Sequence, residues 1–247
     1  MNGKVEKKIR RKKVFFPLSF LIIFLGVLCL FLFKSNYFNI AAVSVENNNI
    51  VSADEIKALA NLEGKNIFLV DLNKIEKKIQ YNPYIDSVEM IRKYPNKITI
   101  RLQEKKIMGL VKYKNVFINI DNEGNMIQTV DKFPDCKIPL IEGIEVKEYI
   151  PKKPILESDD VKLKALKAAF KVNEYKEYKN LIYSIDISDP YNISYKTKDG
   201  IVINVGDFNN MEYKLACAYS VLKSNIPKKS GYIQINSDGT ATYKNKK

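Results

Sequence analysis

From residue 14 to residue 33 no side chain is charged. Twenty helical residues rise by roughly 30 Å, the thickness of a bilayer's hydrocarbon core. The stretch predicts a single transmembrane helix. Pro17 falls in its first turn, where a missing N–H is harmless, and Gly26 is tolerated in a membrane helix. A cleaved signal peptide would have an apolar region of about 7–15 residues closed by small residues. This stretch is longer and ends in Leu30-Phe31-Leu32-Phe33-Lys34, with Ala41-Ala42 too late for a cleavage site. The expectation is an anchor that stays attached.

Beyond it the periodicity changes. Residues 40–46 alternate loosely, with Ile40, Val43 and Val45 apolar, and predict a strand; Asn47-Asn48-Asn49 predicts a turn. Ser52-Ala53-Asp54-Glu55 reads as a capping box, in which the Ser52 hydroxyl and the Glu55 carboxylate each take a backbone donor at a helix start. Ile56 and Leu59 then share a helical face. Asp71 is placed to cap a second helix, with Leu72, Ile75 and Ile79 at three- and four-residue spacing. Pro83 ends it. Residues 88–93 predict a strand and Tyr94-Pro95-Asn96 a turn. Ile98, Ile100 and Leu102 alternate with Thr99, Arg101 and Gln103, the pattern of a half-buried strand. The order over residues 34–104 is strand, helix, helix, strand, strand.

Residues 105–243 are mostly β in pattern. Strands are predicted at 107–112, 116–120, 181–187, 191–197, 201–205, 231–236 and 240–243. Asp121-Asn122-Glu123-Gly124 and Asp199-Gly200 supply turns, while Pro134, Pro139 and Gly143 punctuate an irregular passage. One amphipathic helix is expected from about Ser158, with Val161, Leu163, Leu166, Ala169 and Phe170. Another covers 211–223, with Leu215, Ala218, Tyr219 and Leu222 as its core face. Residues 244–247 are expected to fray. The fold class is α+β throughout.

Charge sets the direction of the anchor. The chain of 247 residues carries a net charge of +13. Lys4, Lys7, Lys8, Arg10, Arg11, Lys12 and Lys13 precede the apolar stretch against Glu6 alone, and only Lys34 follows closely. The positive-inside rule puts residues 1–13 in the cytoplasm and everything after residue 33 outside the plasma membrane. The remaining charges are interleaved in sign, as on a solvated surface, with no basic stripe of the kind a nucleic acid would need.

Composition limits the chemistry. The chain has no His, which removes the usual general base and the commonest metal ligand. Cys136 and Cys217 leave room for one bridge, but a chain of this size does not need it. No dinucleotide, phosphate-loop, zinc-protease or nucleophile-elbow motif is present. Ser220-Val221-Leu222-Lys223 has the SxxK spacing of penicillin-binding enzymes, yet the matching strand motif fails because Lys198 follows Lys196-Thr197. Asp159-Asp160 suits a helix start, and Asp186 and Asp189 suit a strand end. No catalytic residue, metal ligand or cofactor is expected. The alternative is an extracytoplasmic wall-active enzyme with an unrecognised acidic site.

Several local runs together resemble the FtsQ/DivIB family of bacterial division proteins. They are Val43-Ser44-Val45-Glu46-Asn47 with 51–56, Gly64-Lys65-Asn66-Ile67-Phe68 before Asp71, Asn82-Pro83-Tyr84-Ile85, and Arg92-Lys93-Tyr94-Pro95 running into 98–104. Ile120-Asp121-Asn122-Glu123-Gly124, Ile138-Pro139-Leu140-Ile141-Glu142-Gly143 and Gly231-Tyr232-Ile233-Gln234-Ile235 resemble later elements. Gln234 stands where the family usually has Asp. The resemblance implies a POTRA-type domain over 34–104 and a β domain over 105–243. It implies a non-enzymatic scaffold at the division septum, whose partners resemble FtsL and FtsB/DivIC, bound near the last strands. An exposed edge strand could accept a partner strand through its main chain. The candidates are Tyr232, Ile233, Gln234, Ile235 and Asn236 with Thr240, Thr242 and Tyr243; equally, these strands could simply close the sheet. A POTRA-bearing translocation or adhesion module would tend to carry several such units.

Overall fold

The computed structural model describes residues 3–131, 138–224, 230–236 and 239–245, with side chains from Leu18 onward. Pro134, Cys136, Ser237, Asp238, Lys246 and Lys247 lie outside the described residues, as do the side chains of the basic tail and of residues 14–17. The chain divides into two compact units, Met1–Glu104 and Lys105–Lys247.

Unit 1 opens on helix α1 (Gly3–Lys34). Its large apolar side chains face outward, Phe20 at 70% and Ile23 at 65% exposure. Among the described residues no helix is long and apolar enough to cross a membrane; side chains in the expected span are described only from Leu18. Strand β1 (Ala42–Glu46), helices α2 (Ala53–Ala60) and α3 (Leu72–Gln80), and strands β2 (Ile85–Lys93) and β3 (Lys97–Glu104) follow. This is the β-α-α-β-β order that the periodicity predicts. The sheet runs β1-β3-β2, with β1 parallel and β2 antiparallel to β3. Ile98, Ile100 and Leu102 of β3 are buried with Ile56, Ala60 and Ile79 of the helices.

Side-chain caps fix where these helices begin. Ser52 Oγ accepts the Glu55 N–H at 3.2 Å, and Asp71 Oδ1 accepts the Lys74 N–H at 3.1 Å. Half of the expected capping box is replaced: the Glu55 carboxylate accepts from Asn82 Nδ2 at 3.0 Å. Asn82 follows α3, which packs beside α2, so a partner distant in sequence claims the carboxylate. Glu104 collects the N–H groups of Asn49, Ile50 and Val51 at 2.8–2.9 Å, closing the turn after β1.

Unit 2 contains β4 (Gly109–Tyr113), β5 (Val116–Ile120), β6 (Met126–Val130), β7 (Leu140–Glu142), α4 (Val161–Ala169), β8 (Ile182–Asp186), β9 (Ile193–Thr197), β10 (Val202–Gly206), α5 (Met211–Lys223), β11 (Gly231–Ile235) and β12 (Ala241–Asn245). Among the described residues the strands form one sheet of nine in the order β12-β11-β10-β9-β8-β7-β4-β5-β6. The helices meet over Tyr195, whose hydroxyl donates to the Ala169 carbonyl of α4 at 3.0 Å and lies 3.4 Å from Met211 Sδ of α5.

Two strands are absent from the periodicity reading. β7 has three residues and is held by parallel neighbours on both sides, β4 and β8, so its pairing is wholly long-range. β6 follows directly on the Asp121 turn, and its Met126-Ile127-Gln128-Thr129-Val130 places two apolar residues side by side instead of alternating. Helix α4 begins at Val161, after Asp160 rather than Ser158, because the Asp160 carboxylate accepts the Lys162 N–H at 2.8 Å. Lys244 and Asn245, expected to fray, extend β12 opposite Tyr232 and Gly231. Cys217 is a free thiol.

Gly143 follows β7 with φ of +88°, and a Cβ there would lie 2.2 Å from the Ser188 backbone nitrogen. Backbone cannot yield as a side-chain tip can. Gly143→Ala is expected to lower unit 2 stability by more than about 2 kcal/mol, read as an earlier urea midpoint of the full chain.

Candidate partner-binding site

The two ends of the nine-stranded sheet differ. At one end β6 is strapped by a later segment: the Met126 N–H donates to the Lys153 carbonyl at 2.8 Å, and the Lys152 N–H donates to the Met126 carbonyl at 2.7 Å. A bridge also joins Asn125 to Pro154. At the other end, among the described residues, β12 pairs with β11 alone. A strand with one neighbour presents half of its main-chain groups to whatever lies outside.

Which groups these are follows from the hairpin. The Asn236 N–H donates to the Thr240 carbonyl at 2.9 Å. Antiparallel bonding alternates along a strand, so Thr242 and Lys244 direct their main-chain groups to β11. The main-chain groups of Ala241, Tyr243 and Asn245 then face outward. Side chains alternate on the perpendicular axis. Ile233 and Ile235 are in the core, with Tyr243 and Ala241 packed against it. Tyr232, Thr242 and Lys244 are exposed on the opposite face.

Gly231 permits this packing. A Cβ at Gly231 would lie 2.4 Å from the Tyr243 ring, so the phenol rests on a bare Cα and pins β12 to β11. Gln234 Nε2 donates to the Ile235 carbonyl at 3.0 Å. Asn236 Nδ2 donates to Thr240 Oγ1 at 2.9 Å, bracing the turn.

The sequence candidates are therefore brought into one hairpin but divide by position. Tyr232, Ile233, Gln234 and Ile235 lie in β11, which has β10 on one side and β12 on the other. Thr242 and Tyr243 lie in β12, and Asn236 and Thr240 in the turn. Ala241, Lys244 and Asn245 belong to the same edge and were not singled out. Part of the signal was available, since the period-two alternation from Ala241 continues through Lys244.

The residues considered for chemistry are engaged locally. The Ser220 hydroxyl donates to the Ala216 carbonyl one helical turn back at 3.0 Å. Asp186 accepts the Ser188 N–H and hydroxyl at 2.8 and 2.6 Å. Asp189 accepts the Tyr191 N–H at 2.9 Å. Lys214 donates to the Asp207 carboxylate, and this hydrogen bond holds Asp207 below the ordinary carboxylate range.

The FtsQ-type POTRA domain family matches residues 38–105. The cell division protein DivIB of Clostridium tetani is 30% identical over 224 residues, covering 89% of this chain and 84% of its own length. The chain belongs to the DivIB/FtsQ family of bacterial cell-division proteins. The cell division protein FtsQ of Syntrophotalea carbinolica is 26% identical, with 79% of this chain and 70% of its own length covered. A solved extracytoplasmic domain of DivIB from Geobacillus stearothermophilus aligns with 51% of this chain and 99% of its own, at a TM-score of 0.34 and 12% identity, too loose a superposition to carry an argument. The DivIB/FtsQ relationship places the chain's role in cell division.

Proposed function

We propose that the chain is a non-enzymatic scaffold of the division septum, anchored by α1 and offering β12 as a template for a partner strand. The partners proposed are the division proteins resembling FtsL and FtsB/DivIC. The observation that carries the reading is that, among the described residues, β12 has β11 as its one strand neighbour, set against the strapped edge at β6. Main-chain pairing along the outer side of β12, from Ala241 to Asn245, would supply affinity. The exposed Thr242 and Lys244, beside Tyr232, would supply specificity. Lys244 also discourages indiscriminate edge pairing.

The anchor is supported by α1 itself. Leu18, Phe20, Ile22, Ile23, Phe24 and Leu30 are all exposed, an apolar surface that needs lipid rather than water. The seven basic residues preceding it favour a cytoplasmic N-terminus and an extracytoplasmic C-terminus.

Ending the chain before Gly231 would be a poor test, because it removes Ile233 and Ile235, which belong to the core. Ala241→Pro removes one outward N–H at a strand start, where proline is tolerated. It is expected to cut co-purification of the FtsL- and DivIC-type partners at least about tenfold, by loss of one interfacial hydrogen bond and the local register. Protease resistance of unit 2 should be unchanged. Full partner retention by both Ala241→Pro and a chain ending at Thr240 would reject the edge as the site.

A further inference from the structure

Unit 1 has two poles, defined by its strand register. β1 and β3 both start at one pole, Ala42 opposite Lys97, and the turn joining β2 to β3 lies there too. At the other pole Glu104 binds the turn after β1, close to the start of α2. The last turn of α1 reaches the first pole. Asn66 is 9% exposed, and its Nδ2 donates to the Leu32 carbonyl at 2.8 Å and the Phe33 carbonyl at 3.3 Å. Its Oδ1 accepts the Phe68 N–H at 2.9 Å. One buried amide thus satisfies carbonyls that a helix end leaves open and ties them to the POTRA unit.

Aromatic contacts reinforce the tie. Phe33 meets Phe68 edge-on with centroids 6.4 Å apart, Phe31 meets Phe38 at 5.6 Å, and Phe68 stacks on Tyr94 at 5.3 Å. The outer faces of this cluster stay open. Tyr37 is 60% exposed, Leu69 65% and Tyr94 61%. Beside them runs a groove of about 810 Å³ along α3, lined by Lys65 and Lys74 near this pole and by Lys77 and Lys78 in the last turn of α3, toward the other. Its single acid, Asp71, is engaged as the cap of α3. Among the described residues none of the four lysines is in an ion pair.

We propose that this pole is a bilayer-docking surface, with Tyr37, Leu69 and Tyr94 seated at the headgroup boundary and Lys65 and Lys74 against anionic headgroups. The inference rests on the reading of α1 as a membrane anchor. Continuity supports it: Phe33, the last apolar residue of the helix, already touches Phe68 of the pole, so the pole sits within one side chain of the hydrocarbon. Tyrosine rings prefer that depth, with the ring in apolar surroundings and the hydroxyl wet. Charge complementarity selects the lipid, since clustered lysines next to a membrane helix are drawn to anionic surfaces. Docking would hold unit 1 itself at a fixed height, because Asn66 and the aromatic cluster remove the slack between anchor and POTRA unit.

The test uses the full chain in vesicles of neutral phosphatidylcholine, with or without anionic phosphatidylglycerol. Cys136 and Cys217 are replaced by Ser, and an environment-sensitive fluorophore is placed at one of three sites. The native Cys29, exposed on α1, reports the anchor. Leu69→Cys reports the pole and Asp54→Cys the opposite pole, both in a Cys29→Ser background. Nitroxide-labelled lipid is the quencher.

The expected result is quenching at residue 29 in both mixtures, at least twofold stronger quenching at residue 69 with anionic lipid, and a solvent-like signal at residue 54. Replacing Lys65 and Lys74 together with Glu should remove the anionic dependence at 69 and leave 29 unchanged. A solvent-like signal at 29 overturns the anchor itself. Quenching at 29 with none at 69 overturns docking alone, and equal quenching at 69 and 54 overturns the assigned pole. Equal quenching at 69 in both mixtures overturns the role of the lysines.

Discussion

Asp121→Ala is expected to destabilise unit 2 by about 3–5 kcal/mol, the usual loss when one member of a buried pair is removed. Asp121 is 2% exposed. Its carboxylate accepts from Lys105 Nζ at 2.5 Å, the Glu123 N–H at 2.9 Å, the Asn125 N–H at 2.8 Å and Asn125 Nδ2 at 3.0 Å. Alanine would strand the Lys105 ammonium, whose side chain is 17% exposed, and open the turn that ends at Gly124. Asp121→Asn keeps the volume and part of the bonding, so its loss should be smaller. Urea midpoints of the full chain, followed by tyrosine fluorescence, would rank the three.

The same carboxylate gives a pH signature. Burial alone would raise its pKa, but hydrogen bonds from Lys105 and Asn125 outweigh that and leave it below the ordinary value of 3.8. The folded state therefore holds this proton less tightly than the unfolded chain. The contribution is present in full above 3.8 and drains away as pH falls through 3.8 toward the folded value. In Asp121→Asn the acid limb of the stability profile should be shallower. An unchanged acid limb would mean that other carboxylates govern it.

Tyr195→Ala should cost a comparable amount, about 3–5 kcal/mol, because it empties a large side chain from the core. Tyr195 has no exposed surface and sits beneath both helices of unit 2. Tyr195→Phe fills the same space but leaves the Ala169 carbonyl without its donor, a loss of about 1–2 kcal/mol. The difference between the two variants separates packing from hydrogen bonding. Burial pushes the Tyr195 phenol well above its ordinary value of 10.0, and Tyr178 is raised for the same leading reason. Here the folded state keeps a proton that the unfolded chain releases, so stability should fall as pH climbs past 10. Tyr195→Phe should soften that alkaline loss, leaving the share due to Tyr178.

Elements set by neighbours in sequence were legible. Asp71 caps α3, and the apolar face of α5 spans residues 211–223, because capping and helical spacing depend on groups three or four positions apart. The alternation of Ile98, Ile100 and Leu102 likewise announces a half-buried strand without reference to anything else. The Asp121 motif was visible as a turn, but not as a buried ion pair with Lys105.

The rest was decided in three dimensions. β7 is a strand only because β4 and β8 flank it. Glu55 meets Asn82 rather than its own helix end because α3 packs beside α2. The candidate hairpin could be located from residues 231–243, yet which of its strands is the edge could not. Strand propensity is a property of a segment, whereas an edge is the absence of a neighbour, and that depends on how all nine strands of the sheet are ordered. The sequence determined the apolar run, the basic tail before it, the order of elements in unit 1 and all but two of the strands in unit 2. Only the tertiary structure determined that β12 lies outermost and that Asn66 fastens the helix end to the POTRA pole, because both rest on contacts between residues far apart in the chain.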